Sequence, residues 1–310
     1  MDYVNLGKTD TKVSKITFGC WEMGGAQWVH TSDENNDRAI NVAFDNGVTA
    51  FDTAEGYGNG HSEEVLGRAL ADKRDKCFIA TKVAPDHLRA RDIRNSITAS
   101  LKRLGTDYVD LYYIHWPNKD IPLEETMGEM SRLKKEGLIK AIGVSNFNVS
   151  LLRQALVIDR IEAVQNEWSL LQRDIEKEME AFCVEQHISI MSYSSIAKGI
   201  LTGAFHFGGT KLPEDDFRFS RRLFLPDHLE EEKPLLNIMK EIAKNKHILI
   251  SQLAISWLLH KNSLCSAIVG TQSEKHFLEN IESLKVSLSP EDIASLDTLS
   301  AKTLARIDGQ

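Results

Sequence analysis

The sequence is poor in the features that mark metal, redox or membrane proteins. Its four cysteines (Cys20, Cys77, Cys183 and Cys265) lie far apart in 310 residues and form no C-x-x-C, which argues against disulfides and thiolate metal sites. Three of them stand in or beside apolar strand-like runs, where cysteine behaves as a small hydrophobe. None of the ten histidines falls in an H-x-x-x-H or H-E-x-x-H spacing, so no metal is expected. No apolar run approaches the roughly 18 residues of a membrane span. The N-terminal MDYVNLGKTD lacks the basic-then-apolar pattern of a secretion signal, and the cytoplasm is the expected compartment. Basic residues are outnumbered, with 37 Lys and Arg against 45 Asp and Glu for a formal net charge of −8. That balance argues against a nucleic-acid or anionic-membrane surface. Also missing is a G-x-G-x-x-G after an early strand, the usual mark of a doubly wound dinucleotide fold.

What the chain does have is a steady alternation of strand and helix. Two short strands around a turn at Lys8-Thr9-Asp10 open it. A buried-type strand at 16–19 follows, then a loop with Trp21, Gly24 and Gly25, and a helix over 33–44 that Ser32 can cap. Strands are expected at 48–52, 78–82, 109–115, 140–144, 163–165, 188–193 and 267–269. The helices between them are expected at 62–71, 92–104, 123–135, 149–157 and 174–186. After a long irregular stretch come helices at 235–244, 251–259 and 274–284, and a last one from Ser289-Pro290. Continuous apolar strands alternating with helices imply a parallel sheet. Eight such units over about 270 residues favour a (β/α)8 TIM barrel of class α/β, with an N-terminal β-hairpin and extra C-terminal helices. No linker or low-complexity run divides residues 1–310, so one domain is expected.

A barrel brings the carboxyl ends of all its strands to one face, where they can be read together. In chain order they carry Cys20-Trp21, Asp52, Lys82, His115, Ser145-Asn146, Gln165, Tyr193-Ser194 and Gly270-Thr271. Lysine is almost never buried unpaired, so Lys82 needs a partner, and Asp52 one strand away can supply it. The bland alternatives are an ion pair tying two strands, a His115 bonded to backbone, and a Tyr57 that is merely a loop residue. Together, though, the four compose an acid. A phenol titrates near pH 10 (about 10), and an ammonium beside it is expected to lower that value. Asp52 would keep the ammonium charged, and His115 would offer a neutral N–H to a substrate oxygen.

The segments FDTAEGYGNGHSEEVLG, ATK, SLKRLGTDYVDLYYIH, GVSNF and IVGTQSEKHFLEN run in order across nearly the whole chain. On these motifs the sequence resembles the aldo-keto reductases, and closely their bacterial branch with a short C-terminus. The resemblance implies a (β/α)8 barrel, a nicotinamide cofactor and carbonyl–alcohol interconversion. Its catalytic tetrad falls on Asp52, Tyr57, Lys82 and His115, with Tyr57 as general acid. The nicotinamide carboxamide contacts fall on Ser145, Asn146 and Gln165, and the ring stacks on Tyr193. Ser194, Ile196, Gly199 and Leu201 match the pyrophosphate segment. Gly270, Thr271, Gln272, His276, Glu279 and Asn280 match the adenosine end. Cys20, Trp21 and Asp52 complete the expected cofactor set, and Trp21, Tyr57, His115 and Trp116 the substrate pocket, with the stretch 205–227 as a further wall.

One departure bears on the cofactor. Many relatives place Arg or Lys at Gln272, or Arg at His276, to grip the 2′-phosphate of NADP; this chain offers neutral donors there. NADP(H) is the first expectation and NAD(H) its rival. The expected function is an NAD(P)H-dependent oxidoreductase reducing an aldehyde or ketone, sugar-derived ones included, with a small-molecule carbonyl or alcohol as partner. A Schiff-base aldolase using Lys82 is one alternative, disfavoured because Asp52 would hold the amine protonated. A cofactor-sensing regulatory subunit, a role some relatives of this family play, is another. The sequence carries no signal of an oligomeric state.

Overall fold

The computed structural model describes residues 1–25 and 32–309. A hairpin of β1 (Tyr3–Asn5) and β2 (Lys12–Ser14) precedes a closed, all-parallel eight-stranded barrel. The barrel strands are β3 (Ile16–Gly19), β4 (Ala50–Asp52), β5 (Phe78–Val83), β6 (Val109–Ile114), β7 (Ile139–Ser145), β8 (Ala163–Glu167), β9 (Ser189–Tyr193) and β10 (Leu264–Gly270). Each pairs with its sequence neighbour, and β10 closes onto β3 through Ala267 opposite Ile16. Around them lie α1 (Asp33–Asp45), α2 (His61–Ala69), α3 (Ala90–Leu104), α4 (Leu123–Glu136), α5 (Val149–Ile158) and α6 (Met179–Gln186). A short α7 (Ala204–Phe207) leads to α8 (Pro226–Lys246), α9 (Ile250–Leu259), α10 (Glu274–Ile281) and α11 (Pro290–Asp308). This is the expected (β/α)8 barrel with its hairpin.

Local chemistry sets most boundaries. Asn148 caps α5 by accepting the Leu151 N–H at 2.9 Å, and Ser289 and Asp292 form a reciprocal capping box at α11 with Pro290 in the first turn. Ser32 does precede α1, but its side chain makes no capping bond. Three expectations shift. Residues 174–186 divide into a 3-10 turn (Asp174–Glu176) and α6, and 274–284 divide likewise after Ile281. The helix expected at 235–244 instead begins at Pro226 and runs through Pro234. Its added N-terminal turns are acidic in sequence, yet they bury Glu232 against His206 of α7 and His228 against the Arg222 carbonyl. That burial is a tertiary effect with no periodic signature.

Two cores share the strands. Outward residues such as Phe18, Phe51, Ile79, Tyr112 and Val164 pack under the helices, while Ala50, Phe78, Ala80, Leu111, Tyr113, Ala141, Ala163 and Met191 fill the barrel. Leu6 and Val13 of the hairpin join the inner cluster and close the amino end. The hairpin is tied there by Gly7 N–H to Ser189 Oγ (2.8 Å) and Lys15 Nζ to the Leu264 carbonyl (2.7 Å). Strand alternation then aims the next inward residues at the carboxyl end: Asp52 above Ala50, Lys82 above Ala80, Gln165 above Ala163 and Tyr193 above Met191. All four cysteines are buried free thiols.

Tyr113 fits inside the barrel because its register partner on β7 is Gly143. A methyl at Gly143 would fall 2.4 Å from the Tyr113 ring. Gly143→Ala is therefore expected to cost about 1–3 kcal/mol by overpacking, read as a lower urea midpoint with an unchanged m-value.

Candidate active site

Lys82 stands at the centre of the carboxyl face, wholly buried. Its Nζ donates to Asp52 Oδ1 at 2.5 Å, to the Thr53 carbonyl at 2.8 Å and to Tyr57 Oη at 3.2 Å. The three ammonium protons are thus all used. Gln165 Nε2 donates to the other Asp52 oxygen at 2.7 Å, so the carboxylate is held from two strands. Tyr57 reaches Lys82 from a loop pinned by backbone contact. Gly58, at φ +60°, lies so close to Gly24 that a Cβ there would meet the Gly24 carbonyl oxygen at 2.1 Å. Across from Tyr57, the His115 ring meets it edge-on at 5.6 Å between centroids. His115 follows β6 directly, one residue beyond the observed strand.

The charges sort cleanly. Burial pushes the Lys82 ammonium down, but Asp52 and Tyr57 together outweigh it and leave Lys82 above its ordinary value. His115 is pushed down to about 3 by burial and by the Lys82 charge, so its ring is neutral. The phenol departs from expectation. Lys82 does favour the phenolate of Tyr57, yet burial is the larger effect and the net shift is upward. Tyr57 accordingly keeps its proton throughout the neutral range.

Above this cluster opens a pocket of about 780 Å³. Of the expected residues, Cys20, Trp21, Asp52, Tyr57, His115, Trp116, Ser145, Asn146, Gln165, Tyr193, Ser194, Ile196, Gly199 and Gly270 all line it. Lys82 lies beneath its floor. Leu201 is buried behind the wall with no exposure. Thr271, Gln272, His276, Glu279 and Asn280 continue from Gly270 beyond the pocket lining; Asn280 is buried and His276 is exposed. Gln272 Nε2 donates to the Glu22 carbonyl at 2.7 Å. The stretch 205–227 walls the pocket as expected, through Arg218, Arg221 and Arg222, and Phe217 packs edge-on to Trp21 at 5.3 Å. Arg218 is chelated by Asp216 at 2.7 and 2.9 Å, and Arg222 pairs with Asp308.

The backbone beyond the ends of β7 and β9 is strained where it faces the pocket. Asn146, Ser194, Ala197 and Lys198 all have φ between 50° and 61°, a conformation that side chains disfavour and that concentrates at functional sites. Tyr193 Oη donates to Asn146 Oδ1 at 2.8 Å, and Asn146 Nδ2 donates to the His115 carbonyl at 3.0 Å, locking the ring and the turn together.

A family model for the aldo/keto reductase family matches residues 15–301. This chain belongs to that family. It is 31% identical to the aldo-keto reductase YhdN of Bacillus subtilis over 98% of this chain and 95% of that protein. Among solved structures it resembles the glycerol dehydrogenase AKR11B4 of Gluconobacter oxydans (TM-score 0.89, 28% identity, 98% of this chain and 96% of that one). It also resembles an aldo/keto reductase of Klebsiella pneumoniae in complex with NADP and acetate (TM-score 0.77, 30% identity, 96% and 95%). Membership makes the protein an NAD(P)-dependent oxidoreductase of carbonyl compounds. No helix among the described residues is long and apolar enough to cross a membrane, and none of their His, Cys, Asp and Glu side chains group as metal ligands.

The residues present suit a nicotinamide dinucleotide. The pocket offers an anchored Tyr193 ring, the amides of Asn146 and Gln165, and a run of strained backbone from Ser194 to Gly199. Sequence reading passed over several pocket residues. Glu167 and Lys198 pair at 2.7 Å across two walls, Ser195 Oγ donates to the Ile268 carbonyl at 2.9 Å, and Glu22 lies beside Gly270. The signal for Glu22 was present, since a charged residue directly follows the strand-end pair Cys20-Trp21.

Removing one charge of a buried pair strands the other. Asp52→Asn, which strands the Lys82 ammonium, and Lys82→Met, which leaves the buried Asp52 carboxylate with the Gln165 amide, are each expected to cost roughly 3–5 kcal/mol of stability, measured by chemical denaturation.

Proposed function

We propose that this protein reduces an aldehyde or ketone, sugar-derived carbonyls included, to the corresponding alcohol, with Tyr57 as the general acid. The observation that carries this reading is the Tyr57 hydroxyl held 3.2 Å from the buried Lys82 ammonium with the His115 ring edge-on to it; burial raises the phenol, and burial with the Lys82 charge lowers the imidazole. Tyr193, Asn146 and Gln165 would hold a nicotinamide dinucleotide, which would supply the hydride for the carbonyl carbon. As the carbonyl π pair moves to oxygen, Tyr57 donates its proton to that oxygen and becomes a phenolate. Lys82 stabilises the phenolate at once, and Asp52, itself held by Gln165, keeps Lys82 charged. His115 donates a hydrogen bond that orients the carbonyl. Trp21 and Trp116 give the cleft apolar walls around this polar floor. A charged Lys82 is no amine nucleophile, which weighs against the Schiff-base alternative.

For the cofactor we propose NADP(H), supported by the NADP-bound Klebsiella relative. No cation comes from Gln272 or Ser273, and Lys275 is exposed and lies 3.7 Å from Glu279. The grip on a 2′-phosphate therefore rests on neutral donors, and NAD(H) should compete.

Tyr57→Phe is expected to lower kcat by roughly 10²–10⁴ while the cofactor Kd, measured by fluorescence titration, stays within about twofold; activity surviving in the variant on a broad carbonyl panel would remove Tyr57 as the acid. Gln272→Arg is expected to raise the NADPH-over-NADH ratio of kcat/KM by about tenfold, the equivalent of ~1.4 kcal/mol from a new charge-assisted bond; an unchanged ratio would place the 2′-phosphate elsewhere.

A further inference from the structure

Two carboxylates among the described residues of the pocket have no use in the proposed chemistry, Glu167, which Lys198 pairs, and Glu22. Glu22 lies in the 3-10 turn Trp21–Gly24 directly after β3. Its Oε2 is buried and has no hydrogen-bond partner among the described residues. The same oxygen presses on Gly270, where a Cβ would fall 2.2 Å from it. Its backbone carbonyl meanwhile receives Gln272. Glu22 thus occupies the seam between the ends of β3 and β10, where the segment matching the adenosine end begins.

Among the described residues, the groups facing it are few. From the 205–227 wall comes Arg218, already chelated by Asp216; from its own strand end comes the Cys20 thiol, which burial keeps protonated. The β10 end contributes Gly270, with no titratable group, and beyond it the neutral Gln272. Burial dominates at Glu22 and pushes its carboxyl up to about 7, against smaller opposing effects of its own backbone N–H and Arg218.

We propose that Glu22 is a cofactor-binding residue that acts as a neutral carboxylic acid, so that NAD(P)H binding takes up a proton at Glu22. The inference rests on the reading that the dinucleotide occupies this pocket. Either nicotinamide dinucleotide carries a doubly negative diphosphate. An ionised Glu22 would bring acceptor-only oxygens and a like charge into the same water-poor seam, which is costly. A protonated Glu22 instead presents an O–H donor to phosphate or ribose oxygens. No new oxidant or reductant is involved; one proton moves from solvent to a carboxylate oxygen. The sign follows from linkage: the ligand favours the protonated form, so binding raises the carboxyl further. Affinity is then full below about pH 7 and falls as pH rises, by up to about tenfold per unit until the bound-state value is passed.

The test is nicotinamide fluorescence titration of the wild type and Glu22→Gln with NADH and NADPH between about pH 6.5 and 8.5. It is paired with calorimetry near pH 7.5 in two buffers of different ionisation heat. Titration of the NADPH 2′-phosphate (second pKa about 6) affects both proteins equally and cancels in the comparison. The expected result is a wild-type affinity that falls at least about fivefold across the range, against less than about twofold for Glu22→Gln, with fractional proton uptake by the wild type alone. Parallel pH profiles, or a Glu22→Gln that binds more weakly at every pH because the ionised carboxylate was the ligand, would overturn it. So would absence of proton uptake by the wild type, whether or not the variant folds. If neither cofactor binds the wild type, the cofactor reading itself fails, a result distinct from binding without a proton.

Discussion

The buried ion pair of Lys82 and Asp52 is the constraint on which the rest of this site depends. An ammonium with no exposure needs both charge compensation and three hydrogen-bond acceptors. Adjacent parallel strands supply them from Asp52, Thr53 and the Tyr57 loop. Once the ammonium is fixed, its field organises its neighbours. His115 is held neutral and so can donate without carrying charge, and the phenolate form of Tyr57 has a cation waiting beside it. Gln165 links this cluster to β8 by holding the second Asp52 oxygen. One contact therefore joins the stability of the barrel to its chemistry.

The pocket walls show the opposite balance. At the floor Lys82 has all its donors used and Asp52 is held from two strands, whereas the β9 end carries three non-glycine residues in the left-handed region within five positions, Ser194, Ala197 and Lys198. Such a backbone persists because neighbours over-determine it. Ser195 is tied to the Ile268 carbonyl, Tyr193 to Asn146 and Lys198 to Glu167. The 205–227 wall is anchored by Arg218 on Asp216 and closes an aromatic edge through Phe217 and Trp21. Glu22, set between these parts, keeps a buried carboxyl oxygen without a hydrogen-bond partner among the described residues.

The strand–helix order was legible because inward and outward residues of each strand are both apolar, a pattern that only a sheet covered on both faces requires. The floor of the site was legible for the same reason. Asp52, Lys82 and Gln165 are polar interruptions at the ends of apolar runs, and strand alternation aims them inward. Helix α8 was only half legible, since its first turns are polar in sequence and look solvated, yet they bury Glu232 against α7 and His228 against the Arg222 carbonyl. The direction of the Tyr57 shift was also out of reach. Proximity to Lys82 can be inferred from spacing, but the depth of burial that outweighs it cannot.

By itself, then, the sequence determined the (β/α)8 architecture, through the periodicity of its strands and helices, and the family, through the ordered motifs that carry the resemblance, and it marked Asp52, Lys82 and His115 as polar residues at the ends of apolar runs. The tertiary structure alone decided the electrostatic state of the site. Desolvation depends on what covers a group from distant parts of the chain. Here Tyr57 and Glu22 are shifted by residues far from them in sequence, Lys82 and Arg218, and above all by the exclusion of water.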